Sequence, residues 1–147
     1  MTKLITTILF SFIATSSFSQ TTQTGFYFLA EKPSDGLLVN DLDSENVFAI
    51  EKTPILSKED FKKVKIVTLD FEPENIKAIK IQLSSEARKT WRDAKKRILK
   101  TGESIVFVYN DKVYHSQTMY GNAKTPDSYV NLIVHEKYIG EIFKELK

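Results

Sequence analysis

Apolar and polar positions along this 147-residue chain follow two rhythms. A two-residue beat, with β-branched and aromatic residues, marks short strands. The stretch 25–30, GFYFLA, is the first, and Pro33 and Gly36 break the chain after it. Residues 47–51, VFAIE, form a second, with Phe48 and Ile50 on one face and Val47, Ala49 and Glu51 on the other. VKIVTL at 64–69 is a third, ended by Pro73. IKAIKIQL at 76–83 is a fourth, with Ile76, Ala78, Lys80 and Gln82 on one side and Lys77, Ile79, Ile81 and Leu83 on the other. YVNLIV at 129–134 is the last strand.

The second rhythm has a period near 3.6. Ala87, Trp91, Ala94 and Ile98 line one face of a helix that Ser84 caps and Gly102 ends. Ile139, Ile142, Phe143 and Leu146 line a C-terminal helix. Ser57, followed by Glu59 and Asp60, predicts a short helix before the 64–69 strand. Two amphipathic helices need an apolar surface to cover. The predicted fold is therefore α+β: a mixed, mostly antiparallel sheet with two amphipathic helices packed on one face.

Between the helices, residues 105–109 and 112–118 read as a hairpin around Asn110-Asp111, both tolerant of positive φ. A continuous register pairs Val108 with Val113, Phe107 with Tyr114 and Val106 with His115. Tyr109, Tyr114 and Tyr120 gather around this hairpin and its following loop. Tyrosine offers apolar area with a polar tip, so these three are the candidate partner-binding residues.

The N-terminus breaks both rhythms. Lys3 precedes a largely apolar run from Leu4 to Ala14, and Ser17-Phe18-Ser19 is a small-x-small cleavage pattern. Residues 1–19 read as a secretory signal peptide. The run is short of the roughly 20 residues that span a bilayer. Residues 20–147 are then expected as one domain, periplasmic or secreted, with no stable membrane insertion after cleavage. The chain has no cysteine, which excludes disulfides, thiolate chemistry and an N-terminal lipidated cysteine. Twenty-one basic residues against 19 acidic ones leave no excess suited to nucleic acid.

Chemistry is sparse. There is no G-x-S-x-G elbow and no phosphate-cradling glycine loop. His115 and His135 are the only imidazoles, and two histidines without a local carboxylate cluster make no metal site. No catalytic, metal or cofactor-binding residue is assigned. The leading expectation is a non-enzymatic module that binds polypeptide or another envelope protein, by the tyrosine surface or by adding a strand to an open edge. Two alternatives stand beside it: a small hydrolase using His115 or His135, and a structural envelope protein with a dedicated partner.

Residues 54–147 resemble the head subdomain of the first periplasmic domain of SecD/SecDF. The resemblance lies in PILSKEDFKKVKI, IKIQLSSEARKTWRDAKK, TGESIVFVYNDKVYHSQTM and VNLIVHEKYIGEIFKEL, in that order. Asn110-Asp111 replaces that module's usual Asp-Gly turn, Gln117 stands in place of its proline, and His135 replaces its Ser/Thr cap. The resemblance implies a non-enzymatic domain engaging unfolded or emerging polypeptide, with no catalytic residue and no cofactor.

Overall fold

Strand alternation and helix caps produce nine strands and two α-helices in the computed structural model, which describes residues 21–71, 73–117 and 126–147. The signal segment at 1–19 and Tyr120 lie outside the described residues. The strands are β1 (Gly25–Phe28), β2 (Leu37–Asp41), β3 (Val47–Ile50), β4 (Leu56–Ser57), β5 (Phe61–Phe71), β6 (Glu74–Leu83), β7 (Ile105–Tyr109), β8 (Lys112–Gln117) and β9 (Tyr129–Leu132). Helix α1 is Ser85–Thr101 and α2 is Glu136–Leu146. The α+β class holds. The strands, however, divide into two sheets rather than one.

The first sheet has the order β3-β2-β8-β7-β1-β4, antiparallel except for β2 beside β8. It curls back on itself. Leu29 and Ile50 form a bridge, the Ala30 N–H donates to the Ala49 carbonyl at 2.8 Å, and the Glu51 N–H donates to the Phe28 carbonyl at 2.9 Å. Strand β3 thus reaches β1, and five strands close into a small barrel. Alternation explains its filling: Tyr27, Val39, Ile50, Val106, Val108 and Val113 point inward as one apolar cluster.

The opposite face of the same strands carries Phe26, Phe28, Ile105, Phe107 and Tyr109 into a second, larger core. Both helices contribute to that core, through Trp91 and Ile98 of α1 and Ile139 and Ile142 of α2. The second sheet, β5-β6-β9, closes it with Ile79, Ile81, Leu83 and Leu132. Trp91 and Phe107 pack against Phe26 with ring centroids 5.8 and 5.1 Å away. The two helices share one apolar side of the first sheet, as their stripes require.

Local chemistry sets the element ends. The Ser84 hydroxyl accepts from the Ala87 N–H at 3.2 Å, and Gly102 ends α1 at φ 73°. Asn110 and Asp111, at φ 48° and 57°, make the two-residue hairpin turn. Three details depart from expectation. The segment after Ser57 is a single 3-10 turn, Lys58–Asp60, because β5 begins at Phe61 and leaves no length for a helix. Strand β2 carries no aromatic residue and a weak alternation, and was not anticipated. In the hairpin, Val108 does pair with Val113, but Phe107 pairs with His115 and Val106 with Ser116. Tyr114 is the extra residue of a β-bulge, which shifts every later pair by one.

Candidate functional site

Closing the barrel removes most strand edges of the first sheet; the second sheet keeps its own. Strand β5 is 11 residues long and pairs on one side with β6. Among the described residues no strand pairs with its other side. Eleven residues of strand extend about 36 Å, long enough to receive a whole peptide segment. The opposite edge, β9, has only four residues.

The β5–β6 register fixes which side chains flank this edge. Lys63 lies opposite Gln82, and Lys65 opposite Lys80. Gln82 in turn pairs with Tyr129. These residues share the face of the sheet turned away from the core. With Ser128 they line an open pocket of about 270 Å³. Lys80 Nζ sits 3.8 Å from the centroid of the Tyr129 ring, a cation–π contact that holds its ammonium over the pocket floor. Lys65 and Lys80 are like charges directly across a strand pair, an arrangement that costs stability. Among the described residues, no carboxylate lies within salt-bridge distance of Lys63, Lys65 or Lys80. On the other face of β5, Ile66 is 45% exposed.

Acidic partners are spent elsewhere. Asp127 receives Lys95 Nζ and Arg92 Nε, each at 2.6 Å, beside the pocket wall formed by Ser128. Those two hydrogen bonds, Lys95's foremost, hold the Asp127 carboxyl below its ordinary pKa.

The three tyrosines fare differently. Tyr109 is buried, and its hydroxyl lies 3.1 Å from Glu141 Oε1 as a hydrogen-bond donor. Burial first and then Glu141 push its pKa up. Tyr114 is half-buried between Tyr109 and Tyr138, at centroid distances of 5.6 and 5.3 Å. These two rings join the hairpin to α2. Tyr120 lies outside the described residues. His135 is the N-cap of α2, its Nδ1 accepting from the Lys137 N–H at 3.3 Å. The backbone of His115 pairs with Phe107. Among the described residues no group of three or more His, Cys, Asp or Glu is placed to hold a metal. No described helix is long and apolar enough to cross a membrane.

The basic face was written in the sequence as Lys63-x-Lys65 in one strand and Lys80-x-Gln82 in the next. Only the hairpin register shows that they meet. No family model, no curated protein and no solved structure matches this chain.

Proposed function

We propose that the chain is an exported, non-enzymatic α+β module that binds polypeptide in the cell envelope by taking an extended segment as a further strand along β5. The observation that carries this reading is the β5 edge: 11 residues with, among the described residues, a strand partner on one side only, beside a closed barrel. An added strand gains main-chain hydrogen bonds whatever its sequence, which suits a binder of extended chains. The signal-like residues 1–19 and the resemblance of 54–147 to the SecD/SecDF head subdomain support the same direction.

The test is a titration with short extended peptides, followed by amide hydrogen exchange. Binding should slow exchange along Phe61–Phe71 and leave the barrel strands unchanged. The same peptides N-methylated at alternate residues, which removes donors without altering side chains, should bind much more weakly. Equal binding by the methylated peptides, or protection confined to the Tyr109–Tyr114 region, would rule out the β5 edge.

A further inference from the structure

We infer that the β5 edge selects segments whose alternate residues are acidic, with apolar residues between them. This inference rests on the strand-addition reading and specifies its ligand. A strand laid against β5 sends alternate side chains to the two faces of the sheet. On the outward face its successive residues meet Lys63 and Lys65, two positions apart on the same side. On the other face they meet Val64, packed on the core, and Ile66, 45% exposed. Over residues 63–66 the matching pattern is acidic–apolar–acidic–apolar; beyond them the outward face continues with Val67 and Leu69.

Charge decides the occupant. Lysines on an edge strand can serve simply to repel other edges. That accounts for Lys63 and Lys65 but not for Lys80, which belongs to the central strand β6 and sits opposite Lys65. Lys80 Nζ lies over Tyr129 of β9, on the side of β6 away from β5, so it adds positive charge to the same outward face while Lys63 and Lys65 stand at the edge itself. Asp127, the nearby carboxylate, is bound to Lys95 and Arg92. The like-charge cost within this face is relieved by an incoming carboxylate. A second copy of this chain would bring another row of lysines against the first and is disfavoured by the same field.

The experiment uses the chain from Gln20 onward and three peptides: alternating Glu-Val, alternating Lys-Val, and a peptide with the Glu-Val composition but its glutamates and valines in separate blocks. Affinity is read by calorimetry and placement by β5 amide exchange. The alternating acidic peptide should bind at least about tenfold tighter than either of the others, a difference of roughly 1.4 kcal/mol. Its advantage should shrink as salt rises. The K63E/K65E double variant should reverse the preference toward Lys-Val. That variant replaces a like-charge pair at Lys65–Lys80 with an opposite-charge pair, so it should fold; unchanged circular dichroism checks this. Equal protection of β5 by all three peptides would overturn the charge rule while leaving strand addition standing. Absence of β5 protection by any peptide would overturn both. A β5-to-β5 dimer seen by sedimentation would replace the peptide by a second copy and overturn the inference.

Discussion

At the scale of single residues, two glycines separate close packing from simple backbone freedom. A Cβ placed on Gly25 would stand 2.2 Å from the Leu56 carbonyl oxygen, so β1 and β4 approach only because this position is bare. A Cβ on Gly140, inside α2, meets nothing within 4 Å. Gly25→Ala forces a backbone shift at the β1–β4 pair and should cost on the order of 1–3 kcal/mol. Gly140→Ala relieves the entropy cost of glycine in a helix and should stabilise by about 0.5–1 kcal/mol. Urea unfolding measures both. A Gly25→Ala variant as stable as the parent would show that β4 is not held at the distance described.

At the scale of elements, α1 sits on a core it fills with one large ring. Trp91 is 3% exposed and contacts Phe26. Trp91→Ala should cost about 3–5 kcal/mol, enough to unfold a marginal domain, whereas Leu99→Ala, at an exposed site, should leave stability nearly unchanged. Equal midpoints for the two variants in denaturant would contradict the placement of the helix. Both helices were legible because their apolar stripes and caps are local: Ser84, Gly102 and the Ala87-Trp91-Ala94-Ile98 spacing need no knowledge of the rest of the chain. So was the hairpin turn, since Asn110-Asp111 is a two-residue signal. The bulge at Tyr114 was not, because alternation along a strand is unchanged by where the partner strand slips. Strand β2 was missed because Leu37, Leu38 and Val39 give an apolar run without alternation, and Leu38 remains 65% exposed. The basic face was half legible: the faces of residues 76–83 were assigned from period alone, but the meeting of Lys65 with Lys80 depends on a pairing ten or more residues apart. The division into two sheets and the closure of the barrel through Leu29 and Ile50 are non-local pairings that no sequence period encodes.

At the scale of the molecule, barrel and helix layer are tied by the larger core and by one cation. The segment 54–147 does not complete the barrel alone: β7 pairs with β1, β8 with β2, and Tyr27, Val39 and Ile50 supply half of the interior cluster. Arg97, in the last turns of α1, lies over the Phe28 ring at 3.9 Å and donates to Glu51, just after β3, at 2.6 Å. It also donates twice to Glu103, just before β7, at 2.7 Å each. Glu103 is held below its ordinary pKa, first by Arg97 and, after burial's opposing effect, by the Thr101 hydroxyl. A carboxylate with a folded-state pKa below its unfolded one stabilises the fold above the unfolded value, about 4.3, and that contribution is lost as pH falls through the folded value. The three side chains are partly exposed, which limits the gain to roughly 1–2 kcal/mol at low salt. Arg97→Met keeps an apolar body over Phe28 and removes the cation. Its stability should fall below that of the parent at neutral pH, and the two curves should converge in acid as Glu103 protonates in both. Urea midpoints taken from pH 7 down to pH 3 give the comparison; parallel curves across that range would mean that Arg97 holds the barrel to α1 by packing alone.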